Sequence, residues 1–187
     1  MMSDATDCLR RALQDHANRC PEQAALAAEF GQLIDDPQDP FLRSRLAGHF
    51  TGSAWLVSAD GQRALLMHHR KLDRWLQPGG HADGERDLAA VALKEAEEES
   101  GLPLLRLEDG QIFDLDKHWI PERGEVPGHW HYDVRYVIRN VGSEAFVINP
   151  ESLALAWRSV EAIAADPASD VSLARLANGW LARPALA

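Results

Sequence analysis

The period of hydrophobic and polar positions changes several times along this chain, and each change marks an element. Within residues 1–48 the apolar positions are helical: Leu26, Phe30, Leu33 and Ile34 share a face, Pro21 stands near its start, and Asp39-Pro40 breaks the pattern. Beyond residue 50 the period shortens. Residues 50–58 and 63–69 read as strands joined at Asp60-Gly61, a dipeptide suited to a tight turn because glycine takes positive φ freely. A polar stretch, Arg70 to Arg74, leads to Trp75-Leu76-Gln77-Pro78 and a glycine loop, Gly79-Gly80-His81-Ala82-Asp83-Gly84-Glu85. Trp75 reads as a packing residue rather than a platform for a ligand.

The helical period then returns. Ala89, Ala92, Leu93 and Ala96 form an apolar face, and Gly101 suits the left-handed residue after the last turn. Strict alternation follows at 129–139. Trp130, Tyr132, Val134, Tyr136 and Ile138 lie on one face of a strand, and His129, His131, Asp133 and Arg135 on the other. The pattern supports two readings of that polar face equally: a surface turned to solvent, or the wall of a site. Residues 153–158 read as a further strand. Ser159 then caps a helix over 160–165, and Asp170 caps a last helix whose Leu173, Leu176, Ala177, Trp180 and Leu181 share a face.

Candidate chemistry concentrates in the helix after the glycine loop. Glu95, Glu98 and Glu99 are spaced i, i+3, i+4 and share a face, while Glu97 points to solvent. Clustered carboxylates repel unless a cation neutralises them, and Mg²⁺ or Mn²⁺ prefer oxygen donors of this kind. Such ions also bind substrate phosphates, so the cluster suits pyrophosphate chemistry. On the alternating strand, His129-x-His131 can bind a transition metal and Arg135 can grip phosphate in two places.

Composition narrows the picture. The 187 residues suffice for one sizeable core, and 45% hydrophobic with 26% charged residues describes a globular chain. A net charge of −10 disfavours a nucleic-acid polymer as partner but not a nucleotide substrate accompanied by metal. No apolar run is long enough for a membrane span, and the first residues lack an apolar signal core, so the expectation is a cytoplasmic protein with Cys8 and Cys20 as free thiols.

The segment Gly80–Leu102 resembles the Nudix box: glycine, five residues, glutamate, seven residues, Arg-Glu, an aliphatic, any residue, Glu-Glu, any residue, glycine, an aliphatic. Gly80, Glu95, Glu98, Glu99, Gly101 and Leu102 match. Lys94 replaces the arginine, Arg86 occupies the early glutamate position with Glu85 one residue before it, and Ala96 replaces a larger aliphatic. Ile120-Pro121 followed by His129, His131, Tyr132, Asp133 and Arg135 resembles a pattern in a group of bacterial Nudix-like proteins.

This resemblance implies a mixed β-sheet sandwiched between α-helices (α/β/α), with residues 1–48 as an N-terminal helical extension and 49–187 as the Nudix domain. It implies metal-dependent hydrolysis of a diphosphate-containing small molecule, such as a nucleoside-diphosphate derivative. Glu95, Glu98 and Glu99 then hold Mg²⁺ or Mn²⁺, helped by Gly80 and Glu85. Glu98 or Glu99 or a loop acid (Glu122, Glu125 or Glu151) accepts a proton from water, and Lys94 orients a glutamate. Arg135, His129, His131, Asp133, His118, Arg70 and Arg74 are the candidate substrate contacts. Homodimers are common among relatives. A non-catalytic metabolite-binding module is the alternative. An isoprenoid-diphosphate isomerase ranks lower, because that branch uses a core cysteine and both cysteines here precede the core.

Overall fold

The structure, a computed structural model, describes residues 3–70, 72–150 and 152–183. Two helices open the chain, α1 (Ser3–Arg19) and α2 (Ala24–Ile34), separated by a short 3-10 turn that starts at Pro21. Strands β1 (His49–Val57), β2 (Arg63–His69), β3 (Arg74–Leu76) and β4 (Gly79–His81) precede helix α3 (Leu88–Ser100). The long strands β5 (Leu105–Ile120) and β6 (His129–Asn140) follow, then β7 (Ser152–Ser159), α4 (Val160–Ala165) and α5 (Val171–Leu181).

The seven strands of the described residues join one sheet, with β3-β2-β1-β6-β5 as its path, β4 beside β1 and β7 beside β2. The sheet is mixed: β1 and β6 run parallel through nine registered pairs, and the other pairings are antiparallel. β1 is buried along its whole length, as expected of a central strand covered on both faces. Alternate β1 residues serve two cores. Phe50, Ala54 and Leu56 pack with Leu88, Val91, Ala92 and Ala96 of α3 and with the side of α1 and α2 that carries Leu13 and Phe30. Trp55 and Val57 pack on the opposite face with Val160, Ile163, Leu173 and Leu176 of α4 and α5. The mixed sheet between two helical layers expected from the sequence is therefore present.

Local signals held in most places. The β1–β2 turn has Gly61 at φ +72° and pairs Val57 with Ala64. Ser159 and Asp170 accept hydrogen bonds from the first amides of α4 and α5. Trp75 is half-buried, stacked on His68 and covered by the Arg158 guanidinium. Neither Cys8 nor Cys20 is in a disulfide among the described residues. Two features go beyond the pattern reading. The glycine loop is partly a strand, because Gly79, Gly80 and His81 pair with Ser53, Gly52 and Thr51 of β1. The polar face of β6 is largely withdrawn from solvent: His129, Asp133 and Arg135 are buried and His131 is half-buried, since β6 is flanked by β1 and β5 and covered by α5. Among the described residues no helix is long and apolar enough to cross a membrane.

Candidate functional site

The carboxylate helix is fixed at both ends by its own sequence. Asp87 accepts from the amides of Ala89 and Ala90 at the N-terminus, each at 3.1 Å. Gly101 closes the C-terminus at φ +64°, with its N–H donating to Glu97 O. Buried Leu88, Val91, Ala92 and Ala96 seat α3 on the sheet, which turns the glutamates toward β4. Glu99 is buried, and its Oε2 accepts the Gly79 N–H at 3.0 Å. Glu95 is half-buried against Gly80, where an added Cβ would stand 2.5 Å from the Glu95 carboxyl carbon. That approach explains why the box needs glycine there. Glu98 is exposed, 3.5 Å from Lys94 one turn earlier. These three carboxylates offer only oxygen, the donor set that suits Mg²⁺ or Mn²⁺.

The irregular half of the box is tied to the chain before β1. Arg86 pairs with Asp39 at 2.7 Å and lies over the Phe41 ring. The exposed Glu85 carboxylate accepts the backbone N–H groups of Arg86 and Asp87, bracing the turn into α3. Arg43 pairs with Asp83 on the same loop.

Across the sheet, Arg135 lies inside a buried ion cluster. Its guanidinium meets Asp133 at 2.7 Å, Asp114 at 3.0 Å and Asp116 at 3.2 Å, and it donates to the Ser172 hydroxyl of α5. Arg175 of α5 shares Asp114 and Asp116. Asp133 also accepts the Thr51 and Ser53 hydroxyls, so it joins β1 to β6. Burial opposes the Arg135 charge, but the three aspartates outweigh it and hold the guanidinium above its usual range. Burial likewise works against Asp116, yet the His118 hydrogen bond and the charges of Arg135 and Arg175 hold its carboxyl well below the usual range.

Next to this cluster, at the N-terminal ends of β1 and β6, imidazoles converge. Register places His49 beside His131, His81 beside Thr51, and His118 opposite His131. With His129 they occupy one face of the sheet across β4, β1, β6 and β5. His49 and His129 are buried, and His81 and His131 are half-buried. Burial lowers the pKa of His49, an effect its bond to Arg45 O only partly offsets. Burial also pushes His81 down to about 4, with Arg43 and His49 adding to the effect. It pushes His131 down to about 2, with the surrounding imidazoles adding. These three rings are neutral near pH 7.

Thus the structure gathers Glu95, Glu99 and Gly80 at β4, with Glu98 and Lys94 on the exposed side of α3. It gathers His118, His129 and His131 around a second centre and places Asp133 and Arg135 beneath it. Arg70 donates to the carbonyls of Pro150 and Ser152. Arg74 pairs with Asp170 at 3.6 Å and lines a cavity of about 370 Å³ with Trp75, Arg158 and Leu173. Glu122 and Glu125 sit on an exposed turn, and Glu151 lies outside the described residues. Two residues of the histidine cluster, His49 and His81, carried no sequence signal. They are 32 residues apart and meet only because β4 pairs with β1.

Comparison with known proteins agrees with this architecture. Residues 49–176 match the family model described as the NUDIX domain. No curated protein matches the chain. Among solved structures, a Nudix hydrolase from M. smegmatis, RenU, is 21% identical with a TM-score of 0.54, covering 75% of this chain and 91% of that one. A MutT protein from Methanosarcina mazei Go1 is 16% identical with a TM-score of 0.54, covering 78% and 96%. The C. elegans Ap4A hydrolase is 16% identical with a TM-score of 0.51, covering 71% and 95%. With the family model spanning more than half of its length, and with the box helix seated on a mixed sheet between helices, the chain belongs to the Nudix family.

Proposed function

We propose that this chain hydrolyses a phosphoanhydride bond in a small molecule, with water attacking phosphorus at a site built on α3 and β4. One observation carries the reading. Glu95 and Glu99 are both held against the glycine strand, one by the missing Cβ of Gly80 and the other by the Gly79 N–H. Two carboxylates directed at the same strand offer only oxygen donors, the set that suits a divalent cation such as Mg²⁺ or Mn²⁺. Bound Mg²⁺ or Mn²⁺ would polarise the diphosphate and lower the pKa of a coordinated water. Glu95 and Glu99 would hold and orient that ion. Glu98, exposed beside Lys94, is the helix acid placed to accept the water proton or complete the ligand set, and Lys94 positions it. The structural neighbours that are named hydrolases, including the Ap4A hydrolase, support the reaction class.

A second reading, a metabolite-binding module without turnover, rests on the early acid position. There Arg86 is committed to Asp39 and Phe41, and Glu85 braces backbone. One experiment separates the two. The protein is incubated with Mg²⁺ or Mn²⁺ and a panel of dinucleoside polyphosphates, nucleotide sugars, ADP-ribose, NADH, coenzyme A and nucleoside triphosphates. Turnover that falls at least about 100-fold in Glu98→Gln supports the hydrolase. Tight metal-independent binding with no turnover of any panel member supports the module and removes the hydrolase.

A further inference from the structure

Alternate residues of β4 face opposite sides of the sheet. Gly80 faces the carboxylate helix, and His81 faces a group of imidazoles that the box chemistry does not use. We propose that His49, His81, His129 and His131 form a binding site for one divalent transition-metal ion, zinc foremost, separate from the carboxylate cluster.

The geometry is close to that of a tetrahedral tetra-imidazole centre. With zinc–nitrogen bonds of about 2.0–2.1 Å, neighbouring ligand nitrogens lie about 3.3 Å apart and ring centroids about 5.2 Å apart. Here His129 Nε2 and His131 Nε2 are 3.2 Å apart. The centroid separations are 5.1 Å for His49–His81, 4.9 Å for His49–His129, 5.1 Å for His49–His131, 5.0 Å for His81–His131 and 5.0 Å for His129–His131. The four ligand nitrogens lie within 4.8 Å of one another.

The hydrogen bonds orient the lone pairs inward. His49 Nδ1 is 3.2 Å from Arg45 O, and His129 Nδ1 is 2.8 Å from Pro127 O. A carbonyl only accepts, so both Nδ1 atoms carry the proton and both Nε2 atoms present lone pairs. This backing of a ligand imidazole by a carbonyl is the usual outer-shell arrangement around a metal. His49 Nε2 is buried and has no hydrogen-bond partner among the described residues. Without an ion, His131 Nε2–H donates to His129 Nε2 and His49 Nε2 stays an orphaned acceptor, whereas a cation among them satisfies all three nitrogens.

Donor chemistry selects the ion. Four imidazole donors without carboxylate or thiolate suit zinc, copper or nickel, whereas Mg²⁺ and Ca²⁺ prefer oxygen. Asp83 favours a cation near His81 and His49, and Arg43 opposes it. An ion here would tie β4, β1 and β6 together beside the strand that positions Glu95 and Glu99.

The test uses the full chain, stripped with chelator and held in excess Mg²⁺ so that oxygen sites are filled. Zinc is added in a calorimeter, and cobalt(II) replaces it as a spectroscopic probe. The expected result is one equivalent of either ion, with the intense visible bands of tetrahedral cobalt. His131→Gln and, separately, the half-buried His81→Gln should weaken binding at least about 100-fold, since even outer-shell changes cost 10- to 100-fold. Glu98→Gln should retain the ion. X-ray absorption at the zinc edge of the wild-type protein should show imidazole scattering, which keeps the test valid if a variant fails to fold. Absence of binding, an oxygen-only shell, or loss in Glu98→Gln with retention in both histidine variants would each overturn the proposal.

Discussion

Replacing Arg135 with methionine should destabilise the fold far more than it disturbs recognition of a substrate. The side chain is 3% exposed and faces Asp133, Asp114 and Asp116 at 2.7, 3.0 and 3.2 Å. Methionine fills similar volume but leaves three carboxylates with Arg175 as the remaining guanidinium of the cluster. Removing one partner of a buried pair costs about 3–5 kcal/mol, because the other charge is left desolvated. Against a total stability of about 5–15 kcal/mol, that is a large share. Urea unfolding of Arg135→Met at pH 7 should therefore show a much lower midpoint with little change in slope.

A second substitution identifies the cause. Asp133→Asn removes a charge yet keeps an oxygen for the Thr51 and Ser53 hydroxyls. In the Arg135→Met background it should restore at least about 1 kcal/mol, a coupling expected only of groups in contact. The pH dependence has a definite sign. The depressed Asp116 carboxyl adds stability that is present above its unfolded value of about 3.9 and lost as pH falls through the folded value. Arg135→Met shrinks that depression, so its deficit should be largest near neutrality and smaller below about pH 4. A stability change under about 1 kcal/mol together with a tenfold loss of kcat/KM would refute the reasoning and make Arg135 a substrate contact.

Three further outcomes are expected. Gly80→Ala forces a Cβ into the Glu95 carboxyl group and should weaken Mn²⁺ binding at least about tenfold, read by electron paramagnetic resonance, with far-ultraviolet circular dichroism unchanged. Asp87→Ala removes the exposed cap of α3 and should cost about 1 kcal/mol in chemical denaturation. In chelator-stripped protein, burial holds His81 near 4, below its unfolded value of about 6.5, so the unfolded chain binds more protons between these values. Its stability should therefore fall as pH drops from about 6.5 to about 4, and a melting temperature that rises over that interval would contradict the burial of His81.

Much of this molecule was legible because local chemistry and tertiary structure agreed. The spacing of Glu95, Glu98 and Glu99, the stop at Gly101, the Asp60-Gly61 turn and the caps at Ser159 and Asp170 all depend on interactions a few residues long. The sequence by itself therefore determined the box helix, the family and the order of elements in the second half. It also set the alternation of β6, but not what that alternation faces. Tertiary structure alone decided that the polar side of β6 is buried. The burial arises because β1 pairs parallel to β6 and α5 delivers Ser172 and Arg175 onto it. Tertiary structure alone also brought His49 and His81 to His129 and His131. Strand pairing acts between residues distant in sequence, so no spacing along the chain records it.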